Sequence, residues 1–529
     1  MSFAALRLCV FSAPPNASAD PYLAPSPLAA TLPRSTLGTL GTLLFLAGIV
    51  ALALALAGCK VGPDYQRPPP LGTNALPSAF SAPADGTNAA QWEPVAPAAH
   101  RPRGSWWEVF GDMELNRLEA LSGVHNQEIA AAIARFDKAR ASVNAARADL
   151  LPQVGFEPSY TRQRTSFNTP ENGIAAGISP TFHTFTTLLQ AGWEADVWGR
   201  VRRQVESARA QLAAGADDVQ AVKLVVQAEL AFDYFTLRAL EAETDVLERS
   251  IETYRRSLEL TVNRRKGGIA ADLDVSQAQT QLQTAEAALP ELRLQRVRLL
   301  DAIAALCGQP AIGFALAAQN ARAAQGAGGA AGAQAPAVPP ALPSELLERR
   351  PDIAAAERRM AGANAQVGVA QGAFYPRLLL NGLAGFQSVS ASTWFDWPSG
   401  LWSVGPAVQL PLFTGGRNRA QLALSRASYR ETVAVYRQTV LSAFQEVEDQ
   451  IAAQRLLEAQ LRAETAALAS AQRTLDVANN RYKSGLVTYL EVATAQTAAL
   501  ALERTVVRIR GNKLVAVVGL IKALGGGWE

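Results

Sequence analysis

Two very long stretches of this chain carry apolar residues at helical spacing. Those of the first stretch are three, four or seven residues apart, and those of the second are seven apart: Leu240, Leu247, Ile251, Tyr254 and Leu258, then Leu461, Leu468, Leu475 and Tyr482. This spacing places them on one face of a helix. A helix from Gly199 to Asn263 would be about 100 Å long. Because such a helix cannot bury its apolar face inside a globule, it must pack along equally long neighbours.

The distribution of proline supports the same two helical stretches. The chain has 30 prolines, but none lies in 199–289 or in 412–529. A proline inside a helix costs about 3 kcal/mol, so proline-free segments of this length favour helices. We predict two long helical hairpins, at 199–306 and at 416–524.

Shorter segments alternate apolar with polar residues, which is typical of β-strands. In 401–412, for example, Trp402 and Val404 alternate with polar or small neighbours. This period of two, with aromatic residues beside a turn, resembles transmembrane strands and their interfacial aromatic belt. We predict two β-hairpins, at about 153–197 and about 377–413.

The two halves of the chain repeat each other. Residues 263–280 align with 480–497 without gaps, at an offset of 217 and with nine identities in 18 positions. An ordered series of such matches indicates a duplicated structural unit. We predict a first repeat at 104–310 and a second at 344–529. Between them, the segment 311–343 is rich in Ala, Gly and Pro and is expected to be a linker.

Any membrane crossing by the mature chain must use strands. No apolar run after the N-terminal region reaches the roughly 20 residues of a spanning helix, and the best, from Leu514 to Leu524, contains Lys522. Two hairpins supply four strands, whereas bacterial barrels have about eight or more. Three copies of the chain would supply twelve. A tube of long helices on the same axis would leave a pore at its centre.

The N-terminal region carries a targeting signal. Arg34 is followed by a short apolar run from Leu43 to Ala57 and then by Gly58-Cys59. A positive flank, a short apolar core and small residues before a cysteine resemble a bacterial lipoprotein signal. The resemblance implies that residues 1–58 are removed and that Cys59 is lipidated.

The residues on either side of this signal add two expectations. Residues 1–33 are irregular and proline-rich, which suggests a mis-assigned start. Lys60 follows the cysteine directly and favours the outer membrane over retention in the inner membrane. The Pro-, Ala- and Ser-rich composition of 59–103 predicts an extended, lipidated tether before the first helix.

Charge and reactive side chains give no sign of catalysis or of nucleic-acid binding. The net charge is +3 without a basic patch, so we predict no nucleic-acid partner. His100, His125 and His183 lack the spacing of metal ligands, and Cys307 has no paired histidine. We therefore expect no cofactor, no metal and no enzymatic activity.

Motifs at two helical turns and near the lipidated cysteine carry a family resemblance. Arg264-x-Lys-x-Gly268 recurs as Arg481-x-Lys-x-Gly485, and Val61-Gly-Pro-Asp-Tyr65 closely follows Cys59. Together with the order of segments, these motifs resemble the TolC-like outer-membrane efflux family. Within it, they are most similar to the NodT/OprM-type lipoprotein branch of tripartite resistance–nodulation–division (RND) efflux systems.

This resemblance implies a mostly α fold with a membrane β part. Three chains would form a homotrimer, in which duplicated long α-hairpins make a periplasmic α-barrel continuous with a 12-stranded outer-membrane β-barrel, four strands per chain. The protein would be lipid-anchored in the bacterial outer membrane, extend into the periplasm and passively conduct drugs or other small molecules to the exterior. Its partners would be outer-membrane lipid, a periplasmic adaptor protein and an inner-membrane RND transporter.

The resemblance also assigns candidate residues to the periplasmic helix tips. These residues would dock the adaptor, and the alternative is that they are only caps and turns. They are Arg264, Lys266, Gly267, Gly268, Leu273, Asp274, Arg481, Lys483, Ser484, Gly485 and Glu491.

Three further residues are candidates for a gate just inside the second tip. Leu490, Thr494 and Thr497 are spaced i, i+4 and i+7, so they share one helix face. Relatives tend to have an apolar residue, a carboxylate and a basic residue at these positions. Only Leu490 matches, so we expect a narrow apolar ring at Leu490 rather than a lock of ion pairs.

Two other functions fit part of the pattern. The outer-membrane duct of a type I protein secretion system would share the architecture. A periplasmic adaptor is also often a lipoprotein, but adaptors carry one helical hairpin between soluble β modules. This chain has two hairpins and about four strands, so the efflux duct is the favoured hypothesis.

Overall fold

Long helices and one four-stranded sheet make up the computed structural model, which describes residues 60–71, 104–164, 181–316 and 349–526. In chain order the elements are α1 (Met113–His125), α2 (Gln127–Ala148), β1 (Gln153–Arg164), β2 (Thr181–Ala195), α3 (Arg200–Lys266), α4 (Asp272–Leu306), α5 (Pro351–Gly372), β3 (Arg377–Ser388), β4 (Gly400–Gln409), α6 (Arg417–Lys483) and α7 (Tyr489–Ala523). The signal segment, Cys59, and most of the expected tether and linker lie outside the described residues.

The long helices occur as two equal pairs. Helices α3 and α6 have 67 residues each, and α4 and α7 have 35 each. The bounds of α6 and α7 are those of α3 and α4 shifted by one constant offset, which is the offset of the sequence alignment. Helices α2 and α5, at 22 residues each, precede β1 and β3 in the same way. The two halves therefore repeat the same order of elements.

The apolar stripe predicted for the first hairpin is buried between its two helices. Leu247, Ile251 and Tyr254 of α3 pack against Leu282 and Leu292 of α4. Burying a side chain of this size contributes roughly 1.5–3 kcal/mol, so the pair is held mainly by this contact. In the part of the chain that the structure describes, no helix is both long enough and apolar enough to cross a membrane.

One antiparallel sheet contains strands from both halves. Its order is β1–β2–β3–β4, so each strand pairs with the next one along the chain. The β2–β3 ladder runs from Phe185 opposite Ser388 to Ala195 opposite Leu378, and it joins the first half to the second. Among the described strands, β1 and β4 have one neighbour each and form the two edges of the sheet.

The short helix α1 is fixed to the middle of the helical body. Asp112 caps it by accepting hydrogen bonds from the backbone N–H groups of Glu114 and Leu115, and it also accepts one from the Tyr234 hydroxyl at 2.7 Å. Leu115 is fully buried in a cluster that also contains Cys307. Burial raises the pKa of the Cys307 thiol to about 11, so Cys307 is a protonated core residue at neutral pH.

The β2–β3 ladder leaves no room for a side chain at Gly385. A Cβ at this position would overlap the carbonyl oxygen of Thr187. We expect Gly385→Ala to shift the strand, lower the thermal unfolding midpoint and reduce the yield of folded protein. Gly382→Ala, on the same strand, is the matched control, because its Cβ would meet nothing closer than 3.9 Å. Equal midpoints for the two variants would contradict the expected clash.

Candidate functional site

The sheet has one apolar and one polar face, because side chains alternate along each strand and the register aligns them. The apolar face includes Val154, Phe156, Leu189, Trp193, Leu380, Trp402, Val404 and Val408, and the polar face includes Gln153, Glu157, Ser159, Gln190, Glu194, Asn381 and Ser403. The apolar face is uncovered: the side chain of Trp402 is 78% exposed and that of Val404 75%. Such a sheet matches a boundary between lipid and water.

Aromatic side chains mark the level at which strands give way to helices. The Trp193 indole donates to the carbonyl of Leu150 at 2.9 Å, just before β1. The Trp198 indole, just after β2, donates to the carbonyl of Pro376 at 2.7 Å and packs on the Tyr375 ring with centroids 5.1 Å apart. Tryptophan and tyrosine are typical of a membrane–water interface. We call this level the junction.

A second aromatic group lies at the opposite end of the strands. Phe185 contacts both Tyr160 and Trp394, with ring centroids 5.0 and 5.1 Å apart, and Phe395 stacks on Trp394. Trp394 and Phe395 belong to the β3–β4 loop, where the sequence predicts an interfacial belt. The apolar face is therefore bordered by aromatic residues at both ends, as in membrane-spanning barrels.

Charged residues are concentrated on the polar face at the junction. Glu194 at the end of β2 accepts two hydrogen bonds from Arg200 of α3, both at 3.0 Å, and others from Arg377 of β3. These residues line a cavity of about 730 Å³ on the polar face of the sheet, together with Gln153 and Asn381. The bidentate Arg–carboxylate geometry ties two strands and one long helix together.

The two helical tips have the same turn geometry. The backbone N–H of Ile269 donates to the Arg264 carbonyl at 2.9 Å, and that of Leu486 donates to the Arg481 carbonyl at 2.9 Å. The residues before them, Gly268 and Gly485, have φ of 75° and 77°. This is a Schellman ending, which requires a left-handed residue and explains the repeated glycine.

Arg264 and Asp274 connect the two tips instead of pointing freely into solvent. The Arg264 guanidinium lies 4.8 Å from the centroid of the Tyr482 ring and donates to the carbonyl of Lys483 at 3.0 Å. The Asp274 carboxylate accepts from the backbone N–H of Ala271 at 3.2 Å and from that of Tyr489 at 3.3 Å. We call these contacts between the first and second tips the tip latch.

Equivalent positions of the two tips form different contacts. Tyr482 and Tyr489 pack edge to face with centroids 5.6 Å apart. Arg265 and Asp272 occupy the equivalent positions of the first tip, and they form an ion pair within the first hairpin. Arg481, the counterpart of Arg264, faces Glu491 of its own hairpin at 3.6 Å. The tip latch is therefore one-sided: Arg264 and Asp274 of the first tip contact the second tip, whereas their counterparts Arg481 and Glu491 face each other within the second hairpin.

Behind the tip latch, buried polar groups connect the two hairpins. The hydroxyl of Tyr489 shares its one hydrogen between the side-chain oxygens of Gln281 at 3.2 Å and Gln496 at 3.4 Å, and the Gln496 amide donates to Ser257 at 3.2 Å. Desolvation by burial raises the pKa of Tyr489 to about 12, so it remains a donor at neutral pH. Tyr489 and Gln496 lie seven residues apart, and this spacing by itself predicts only core packing.

The other predicted tip and gate residues lie on exposed surface. Exposed residues at the tips include Lys266, Gly267, Leu273, Lys483 and Ser484, and also Ile269 and Leu486, for which the sequence predicts no role. Leu490 is 55% exposed. The hydroxyls of Thr494 and Thr497 donate to the carbonyls of Leu490 and Ala493 in their own helix, at 2.9 Å each.

An amphipathic sheet bordered by aromatic belts, continuous with two long helical hairpins, defines a subunit of an outer-membrane channel that extends into the periplasm. The chain belongs to the outer membrane efflux protein family, whose sequence model matches residues 120–309 and 342–526. The predicted fold class, family and outer-membrane location are thereby confirmed.

Individual relatives align with nearly the whole chain. It is 31% identical to the probable efflux pump outer membrane protein TtgC of Pseudomonas putida over 491 residues, which cover 91% of this chain and 96% of TtgC. It is 29% identical to the cation efflux system protein CusC of Escherichia coli over 90% of this chain and 98% of CusC. The solved structure of the outer-membrane channel OprN matches with a TM-score of 0.75 and 29% identity, covering 89% of this chain and all of the OprN chain in that structure.

The tip latch can be tested with a variant and its counterpart in the repeat. We expect Arg264→Ala to accelerate hydrogen exchange at both tips by roughly fivefold, because a cation–π contact and a hydrogen bond between the hairpins are lost. Arg481→Ala is the control, because it removes only the contact with Glu491 inside one hairpin. Exchange measured by mass spectrometry at 269–273 and 486–490 should distinguish them, and identical profiles would refute a one-sided latch.

Proposed function

We propose that three copies of this chain form the exit duct of a tripartite efflux system. The observation that carries this proposal is an amphipathic four-stranded sheet whose edges, β1 and β4, lack partners among the described strands. Because lipid cannot satisfy open edges, β4 of each copy would pair with β1 of the next and close a 12-stranded barrel. The polar face would then line a water-filled interior that substrates cross without chemical change.

Exposed apolar residues on the long helices support the same trimer. About half or more of each of the following side chains is exposed in the single chain: Leu294 and Val297 of α4, and Val435, Leu441, Leu456 and Val477 of α6. Apolar residues spread along a long helix are typical of a contact with another helix. Neighbouring copies would cover them and so build the periplasmic α-barrel.

We further propose that the helix tips dock a periplasmic adaptor, which connects the duct to an inner-membrane RND transporter. TtgC and CusC are named as components of an efflux pump and of a cation efflux system, and drugs or other small molecules are the proposed cargo here. The exposed residues at the tips, including Lys266, Leu273 and Lys483, would touch the adaptor. Arg264 and Asp274 would act indirectly, by fixing the tips to each other.

Lipidation at Cys59 is the remaining part of the proposal. Cys59 follows a short apolar run and lies outside the described residues. Acyl chains on its sulfur would enter the periplasmic leaflet of the outer membrane, and the residues that follow would run along the protein surface. Two acyl chains give stable anchoring, whereas one gives only marginal membrane binding.

The gate hypothesis predicts a difference between two equivalent leucines. Leu490→Ser should raise single-channel conductance in planar bilayers, because a smaller, polar side chain widens and wets an apolar constriction. Leu273→Ser is the matched control: Leu273 stands at the same position of the first tip and is similarly exposed. Its conductance should equal that of the wild type. Unchanged conductance for Leu490→Ser would exclude the ring.

The docking hypothesis predicts loss of efflux without loss of the channel. Cells that express Lys266→Glu/Lys483→Glu should become as susceptible to small toxic compounds as a deletion strain, because two exposed positive charges at the tips are reversed. Outer-membrane level and conductance should stay normal. Lys138→Glu, an exposed reversal on α2, should retain resistance. If the deletion leaves susceptibility unchanged but blocks export of a protein, the type I secretion duct would be the correct function.

A further inference from the structure

The segment Lys60–Arg67, which we call the strap, is bound to the junction. The backbone N–H of Val61 donates to the carbonyl of Trp198 at 3.1 Å, in the turn between β2 and α3. Lys60 forms an ion pair with Glu206 of α3 at 2.8 Å. The sequence predicts an extended tether here, and this part of it is extended but held along its length.

Arg203 of α3 is the centre of the strap's binding site. The residue is fully buried, and its guanidinium donates to the carbonyls of Val61 at 3.2 Å and Gly62 at 3.0 Å and to the Asp64 carboxylate at 3.0 Å. Its remaining nitrogen donates to Glu206. A buried arginine that donates to main-chain carbonyls fixes the path of a backbone, whatever side chains the segment carries.

Two glycines permit the strap to touch helix α5 backbone to backbone. Gly62 has φ of 101°, and a Cβ on it would lie 2.5 Å from the Cα of Gly368. A Cβ on Gly368 would in turn lie 3.0 Å from the Arg203 side chain. Arg203, Gly368 and Gly62 are therefore stacked in direct contact: a Cβ on Gly62 would overlap the helix backbone, and one on Gly368 would crowd the Arg203 side chain.

The rest of the strap is bound to the second half of the chain. Asn364 of α5 donates to the carbonyl of Pro63 at 3.0 Å. Arg67 donates to the hydroxyl of Tyr436 on α6 at 3.2 Å and pairs with Glu357 at 3.4 Å. The strap thus contacts α3 from the first half, and α5 and α6 from the second, starting beside the end of β2.

We propose that the strap acts as an internal splint. It is bound by Arg203, joins the two halves at the junction and holds the lipidated N-terminus at that level. Lys60 is the residue after Cys59, so seating of the strap sets where the acyl chains meet the apolar face of the sheet. The lipid part of this inference rests on the proposed lipidation of Cys59. The splint part rests on contacts of Lys60–Arg67 alone.

Gly62→Ala tests the splint, and Gly313→Ala is its matched control. Both glycines have positive φ, 101° and 84°, so alanine is strained at either position, but a Cβ on Gly313 meets no described atom within 4 Å. In purified, detergent-extracted protein, trypsin should cut after Lys60 about tenfold faster in Gly62→Ala than in the wild type, because cleavage requires local release of the strap. Gly313→Ala should behave as the wild type.

Labelling with a palmitate analogue tests the lipidation of Cys59 independently of the splint. Normal labelling with faster cleavage supports the proposal, and normal labelling with wild-type cleavage overturns it. Absence of labelling in the wild type would refute lipidation of Cys59 while leaving the cleavage comparison to decide the splint. If Gly62→Ala yields no protein, Asn364→Ala decides by the same assay, since it removes a single donor to the strap; an unchanged cleavage rate would then overturn the splint.

Discussion

Backbone N–H and C=O groups at the edge of a sheet cannot stay unpaired in lipid, and the rest of this molecule follows from that constraint. Strands β1 to β4 carry one apolar face, and β1 and β4 lack a second partner among the described strands, so the proposed barrel needs further copies of the chain. Each strand is joined to a helix by a turn of a few residues, such as 196–199 between β2 and α3. Because these turns are short, the helices of the proposed trimer would follow the same ring as the strands, and a hollow helical tube would continue the barrel.

The junction, where the strands of the sheet give way to the long helices, therefore carries a dense network of polar contacts. Here the chain changes from strand to helix, so backbone N–H and C=O groups leave the hydrogen-bond pattern of the sheet before they join that of a helix. Indole donors of Trp193 and Trp198 reach carbonyls in adjacent turns, Glu194 binds two arginines, and Arg203 binds the strap. These contacts link the first half to the second at one level of the molecule, where a shift in one strand would misalign the whole ladder.

The fold could be predicted from sequence because its elements are long and periodic. Helical spacing, the absence of proline and the constant offset between the halves can all be read from the linear order of residues, without knowing which segments lie next to each other in space. The contacts at the tips could not be predicted, because they depend on which residue lies across a gap. Arg264 and Arg481 are equivalent in sequence, but only Arg264 meets an aromatic ring, since Arg265 occupies the position in the first tip that Tyr482 occupies in the second. Binding of the strap could not be predicted for the same reason. Nothing in a proline-rich segment indicates that it contacts a buried arginine that comes much later in the sequence, after β1 and β2.

The two ends of the helices differ in how firmly they are held, and this difference suits a duct that opens at one end. At the tips, the contacts between hairpins are a cation–π pair and a few hydrogen bonds near solvent, each worth on the order of 1 kcal/mol. At the junction, a fully buried arginine has every donor group engaged, and leaving one of its buried donors without an acceptor would cost about 1–3 kcal/mol. If a partner docks at the tips as proposed, a modest force would therefore separate them while the junction stays intact. The repeat supplies two similar hairpins, and in the proposed duct the one-sided latch would let the second move relative to the first without breaking symmetric contacts in both.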